Sequence, residues 1–182
     1  PDARKLSEPV QKCLEVWQEF LDQFPKNTAL PSFPIWSMEF GATYPYEETT
    51  PHALGVDRLR AFCGNHGQPL ENLPDDEVML ALPSYARREQ KAFPKWKIRF
   101  IRQNRELYEA HKSWMDGWMP KILDFPQSYQ KFEWNCQGEK REISNLVIQF
   151  RASGVRVKKP TTAPSLVAMS ITQVPIIGWE KR

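Results

Sequence analysis

The sequence predicts an α+β fold: a small mixed domain with several helices packed on a short antiparallel sheet, joined by irregular connections rich in aromatic residues and proline. Three observations carry this. Residues 10–24 and 95–115 repeat apolar side chains at helical spacing. Residues 145–150 and 155–158 read as strands on either side of a turn at Ser153-Gly154, with Val155 and Val157 on one face and Arg156 and Lys158 on the other. Sixteen prolines against eight glycines favour fixed turns over a long regular sheet. Ten Phe, seven Trp and five Tyr give a chain of 182 residues the material for a core.

Taken in order, Ser7 is placed to cap a first helix with Pro9 in its first turn. Val10, Cys13, Leu14, Trp17, Leu21 and Phe24 form its buried stripe, and Pro25 ends it. Residues 30–46, L-P-S-F-P-I-W-S-M-E-F-G-A-T-Y-P-Y, have no helical period and are expected to be extended or irregular, packed through Phe33, Trp36, Phe40 and Tyr44. A short helix is expected over 56–62, ended by Gly64. Pro74-Asp75-Asp76-Glu77 reads as the acidic start of another, of one or two turns. Ser84 is placed to cap a further helix over 85–93.

After Pro94 comes the strongest helical signal, residues 95–115. Trp96, Phe100, Leu107 and Trp114 fall in a narrow arc, with Ile101, Tyr108 and Met115 beside them. Residues 121–126 read as a connector and 128–134 as a strand or loop. Pro160 and Pro164 stop the final pairing, and 165–169 restart an apolar run. The sequence shows no internal repeat and no low-complexity tract.

Composition narrows the function classes. No apolar run approaches the roughly 20 residues that span a bilayer, and no charged-then-apolar leader opens the chain. Cys13, Cys63 and Cys136 are odd in number and widely spaced, the pattern of free thiols in a reducing, cytoplasmic setting. Both ends read as cut or processed.

Charge is distributed unevenly. Eight basic residues (Arg87, Arg88, Lys91, Lys95, Lys97, Arg99, Arg102 and Arg105) face the single acid Glu89 between 87 and 105, in a chain whose net charge is only +3. Lys95, Arg99, Arg102 and Arg105 share one helical face, the footprint of phosphate binding. Arg151, Arg156, Lys158 and Lys159 form a second cluster, and the two together point to a polyanion partner.

Other chemistry is weakly signalled. Cys63-x-x-His66 has ligand-like spacing without a second pair and reads as a turn. His52, His66 and His111 are isolated, and no G-x-G pair suggests a nucleotide loop. Pro74-Asp75 followed by Glu89-Gln90-Lys91 matches the loose P-D…(D/E)-x-K pattern of magnesium nucleases. That chemistry needs its carboxylates converging from adjacent strands, whereas both residues are expected in helices.

Arg151-x-Ser153-Gly154-Val155-Arg156-Val157-Lys158, followed by Pro164-Ser165-Leu166-Val167-Ala168, resembles motif IX of bacterial DNA (cytosine-5) methyltransferases. Residues 33–45, 97–105, 131–136 and 173–182 resemble one subgroup of that family in the same order. The resemblance implies a target recognition region. Residues 1–29 would be an N-terminal helix and linker, 30–144 the recognition domain, and 145–182 the motif IX-like strands. Its partners would be double-stranded DNA and the catalytic domain or subunit of the same enzyme, with no membrane involved. Candidate DNA contacts are Arg87, Arg88, Lys91, Lys95, Arg99, Arg102 and Arg105, with Arg151, Ser153, Arg156 and Lys158 from motif IX.

Asn135-Cys136-Gln137 looks like the family's Pro-Cys-Gln nucleophile tripeptide, but it lacks the proline and lies far from that motif's place. No Glu-Asn-Val or Gln-Arg-Arg tripeptide is present, so Cys136 is expected to be a buried structural thiol beside Trp134. Motifs I to VIII are missing and the chain stops before motif X. No cofactor is therefore expected in this chain, S-adenosylmethionine belonging to the parent enzyme, and the chain alone is expected to be inactive. The rival expectations are a stand-alone nucleic-acid-binding module and the metal nuclease.

Overall fold

The computed structural model describes residues 6–162 and 175–178. The apolar run expected at 165–169, with Pro164 before it and the ends of the 173–182 segment, lies outside the described residues. The chain forms two compact units, one built from the residues up to Ile35 with those from Pro120 onward, the other from Trp36–Met119.

In the first unit, α1 spans Glu8–Gln23, with Pro9 in the first turn as expected; Ser7 stands at the N-cap position, but its side chain makes no capping hydrogen bond. Its stripe buries Cys13, Trp17, Phe20 and Leu21. Trp17 stacks on Phe132 at 4.7 Å and its indole N–H donates to the Tyr129 carbonyl at 2.8 Å. The sheet consists of β1 (Ile35–Trp36, its second residue being the first of the other unit), β2 (Lys131–Asn135), β3 (Val147–Arg151), β4 (Gly154–Lys158) and β5 (Ile176–Ile177), in the order β1-β2-β4-β3-β5. β3 and β4 form the expected hairpin, Arg151 opposite Gly154 and Phe150 opposite Val155. Val155 and Val157 are buried, while Arg156 and Lys158 are on the more open face.

The α+β class is thus as expected, but the sheet is mixed. The connection over 136–146 carries the chain past β4, so β2 lies beside β4 and runs parallel to it. This pairs Phe132 with Val155 and Trp134 with Val157, all four buried. Gly154 is needed at the start of β4: its φ is +134°, and a Cβ there would stand 2.8 Å from the Lys131 Cβ.

In the second unit the aromatic string after β1 is irregular, as expected, apart from a short 3₁₀ turn at Ser37–Glu39. Three one-turn helices follow: α2 (Pro51–Leu54), α3 (Val56–Leu59) and α4 (Asp75–Val78). The helix expected over 56–62 is shorter, ending with Leu59. No helix forms over 85–93, where the chain is turns and bends. Side chains hold that backbone irregular: Arg87 donates to the carbonyls of Leu80 and Leu82 at 2.6 and 2.8 Å, and the Tyr85 hydroxyl reaches Glu39.

α5 spans Lys95–Trp118, the expected helix extended by three residues. Its buried side carries Lys97, Ile101, Asn104, Tyr108, Met115 and Trp118. Relative to the expected Trp96/Phe100/Leu107/Trp114 arc, that side is rotated by roughly 80°, at about 100° per residue. Asn104 decides the rotation, because its amide oxygen accepts the backbone N–H of Trp36 at 2.7 Å deep in the unit. A hydropathy pattern ranks asparagine as surface, and so points to the wrong flank.

Candidate nucleic-acid interface

α5 positions most of the cations singled out in the sequence, and it treats them differently. Lys95, Arg99 and Arg102 lie on its exposed side, opposite the buried arc. Arg88 and Lys91 are exposed on the preceding segment. Among the described residues, Arg88, Lys91, Lys95 and Arg99 form no ion pair; Arg99 rests over the Phe100 ring at 5.4 Å. Arg102 is paired at the surface, its Nη2 and Nε donating to one Glu47 oxygen at 2.7 and 3.2 Å. That contact holds the Glu47 carboxyl below its usual range, but a pair this exposed exchanges readily with water or with a phosphate.

Arg105 departs from the expected solvated face. Its side chain is half-buried between the rings of Tyr44 and Tyr46, 4.5 and 4.6 Å from their centroids. Its Nε donates to Glu39 at 3.0 Å and its Nη1 to the Tyr44 carbonyl at 3.0 Å. At the flank of the helix, it turns inward because Glu39 is fully buried and needs a counter-charge. Burial alone would lower the Arg105 pKa, but Glu39 together with Tyr44 and Tyr46 outweighs it and the net shift is upward. Glu39 also accepts hydrogen bonds from the hydroxyls of Tyr44 and, at 2.5 Å, Tyr85. Burial, followed by the Glu39 charge, pushes both phenols well above their ordinary pKa. Both carboxylate oxygens therefore accept from donors that stay protonated, a brace tying α5 to the aromatic string.

Sequence reasoning missed Glu39. Its signal was a lone acid between Met38 and Phe40 in a string otherwise built for burial. Lys97 was a second miss. Counted in the basic run, it is 6% exposed, donates to the Tyr85 carbonyl at 3.2 Å, and lies against the rings of Phe93, Trp96 and Tyr85. Burial, then the charge of Arg88, lowers its pKa.

The second basic cluster is on the sheet. Glu133 on β2 accepts from Arg151 on β3 with one carboxylate oxygen and from Arg156 on β4 with the other, both at 2.8 Å. Ser153 is exposed in the hairpin turn, Lys158 is half-buried, and Lys159 lies 3.6 Å from Glu139. One carboxylate thus clasps three strands, and the two arginines are spent on it.

Among the described residues the alternative chemistries find no assembled site. Cys136 is buried, and burial pushes its thiol up to about 12, the opposite of what a nucleophilic thiolate needs. Asp75 opens α4 paired to Arg60. No cluster of three or more His, Cys, Asp or Glu side chains able to hold a metal occurs among the described residues. Cys63-x-x-His66 is a turn, as expected: Cys63 bridges to Pro69 and a 3₁₀ turn spans Asn65–Gly67. No helix of the described residues is long and apolar enough to cross a membrane.

With this geometry in view, comparison with known proteins adds one relationship. The chain is similar to a type II methyltransferase. The relative is M.AluI from Cellulosimicrobium cellulans, 38% identical over an alignment of 92 residues that covers 48% of this chain. The match spans 17% of the relative's length, so the chain corresponds to a minor part of that methyltransferase. No protein-family model matches the chain, and no solved structure matches it.

Proposed function

We propose that this chain is the target recognition region of a restriction-modification DNA cytosine-5 methyltransferase and that it binds double-stranded DNA. The observation that carries this reading is the exposed cationic set Arg88, Lys91, Lys95 and Arg99, uncompensated among the described residues and carried by or leading into a long helix anchored on its other side by Ile101, Tyr108 and Met115. Fixed cations that no carboxylate neutralises are available to displace counterions from a phosphate backbone. The similarity to a methyltransferase supports DNA as the polyanion, and the motif IX-like residues 151–158 support the cytosine-5 class. On this reading the nucleophile and the S-adenosylmethionine site belong to the rest of the enzyme, and residues 30–144 carry recognition. Arg151 and Arg156 then organise the sheet through Glu133, while Arg88, Lys91, Lys95, Arg99 and Arg102 meet phosphates.

The test is selection of bound duplexes from a random pool at low and raised salt. Enrichment of one short motif that survives raised salt is expected. Binding that fades with salt and enriches nothing would replace the reading with a sequence-independent nucleic-acid-binding module.

A further inference from the structure

Trp96 is left unexplained by phosphate binding. An indole is the largest apolar side chain, and leaving half of it in water forgoes stabilisation on the order of 1 kcal/mol. Yet Trp96 is 51% exposed, directly after Lys95 and three residues before Arg99, two exposed α5 cations that form no ion pair among the described residues. The ring is nonetheless held. Phe100 meets it edge-on at 5.9 Å and 67°. The Lys97 ammonium lies over it at 5.6 Å, and that ammonium is itself fixed by the Tyr85 carbonyl.

A positioned aromatic surface flanked by two uncompensated cations matches a nucleotide in both of its parts. A base offers a π-face and the backbone on either side offers negative charge. A plain apolar protein partner would not need the cations, and phosphate alone would not need the indole. In an intact duplex the base faces are stacked on each other and closed to a side chain, so the fitting ligand is a base already out of the stack. We propose that Trp96 is a stacking site for an unpaired nucleobase, with Lys95 and Arg99 holding the adjoining phosphates. This rests on the DNA-binding reading above and narrows it to DNA that is locally unstacked.

The experiment measures binding of the whole chain, by fluorescence anisotropy, to three labelled DNAs of one sequence: a paired duplex, the same duplex with a single-nucleotide bulge, and the single strand. The wild-type chain is expected to favour the bulged duplex over the paired one. Trp96→Leu, which keeps an apolar contact for Phe100 but no π-face, should remove about tenfold of affinity for the bulged DNA and leave the paired duplex nearly unchanged. Trp96→Phe should restore most of the preference. Arg99→Ala should weaken all three DNAs together.

Should Trp96→Leu fold poorly, indole emission supplies the reading: bulged DNA should quench the wild-type chain more than Trp96→Phe. A preference unchanged in Trp96→Leu, equal quenching in the two chains, or tight duplex binding with no bulge preference would overturn the stacking site and leave the DNA reading standing. Binding to none of the three DNAs would remove both.

Discussion

Two cationic regions of this molecule, the open side of α5 and the β3–β4 hairpin, have similar sequence density of Lys and Arg and opposite electrostatic fates. On α5, Lys95 and Arg99 meet no carboxylate among the described residues, and Arg102 meets one only at the exposed surface. On the sheet, Arg151 and Arg156 converge on Glu133, with all three side chains partly withdrawn from solvent. A guanidinium bound at 2.8 Å to a sheltered carboxylate already has its charge compensated when a phosphate approaches, whereas an unpaired one does not. Basic density thus locates candidates for polyanion binding, and the neighbouring acids sort them into available and committed. Arg105 belongs with the committed set although it follows Arg102 by only three residues.

The largest expected effect tests that last assignment. Glu39→Ala removes the counter-charge of Arg105 and the acceptor of two buried hydroxyls, and should cost about 3–5 kcal/mol of stability in urea unfolding of the unit that contains α5. A loss under about 1 kcal/mol would mean that Arg105 is not held by Glu39 in solution and should be counted with the open face.

An acid titration should then separate the two regions. His66 lies 3.2 Å from the Ser37 hydroxyl, and burial lowers its pKa to about 4. Between that value and the ordinary one of about 6.5 the unfolded chain binds the extra proton. The His66 contribution is therefore fully present above about pH 6.5 and lost as pH falls towards 4, with a ceiling of about 3 kcal/mol. Proton-linked unfolding of the α5 unit over that window, flattened in His66→Gln, is the expected result, and a pH-independent profile would refute it.

Glu133→Ala probes the sheet directly. Releasing Arg151 and Arg156 should cost about 1–3 kcal/mol and make the salt dependence of DNA binding steeper, because two committed cations become available. An unchanged slope would show that the hairpin faces away from DNA whatever its charge.

The smallest effects separate the regions most cleanly. Lys95→Ala and Arg99→Ala should each lower the salt slope by about one while leaving stability within about 0.5 kcal/mol. Arg156→Ala should destabilise without changing the slope. The reverse pattern would exchange the roles of helix and hairpin.

Much of the scaffold was legible because it depends on neighbours in the chain. The N-terminal helix follows from apolar spacing, Pro9 and Pro25, and the hairpin follows from Ser153-Gly154 between period-two strands. Side-chain hydrogen bonds that no periodicity encodes overturned the helix expected over 85–93 and rotated the buried arc of α5. Tyr85, Arg87 and Asn104 are polar, and each uses its polar atoms inside the fold.

By itself, then, the sequence determined where α1, α5 and the hairpin form and how many cations crowd 87–105 and 151–159. Spacing of 3.6 or 2 residues and the restricted torsions of proline and glycine are local properties. Only the tertiary structure decided which cations remain available, which side of α5 is buried, that β2 lies parallel to β4, and that Trp96 faces water. The bond that retires Arg105 joins it to Glu39 across 66 positions. Those that retire Arg151 and Arg156 cross from β3 and β4 to a third strand. Charge compensation acts through space over a few ångströms, and the order of residues along a chain does not specify which acid will stand there.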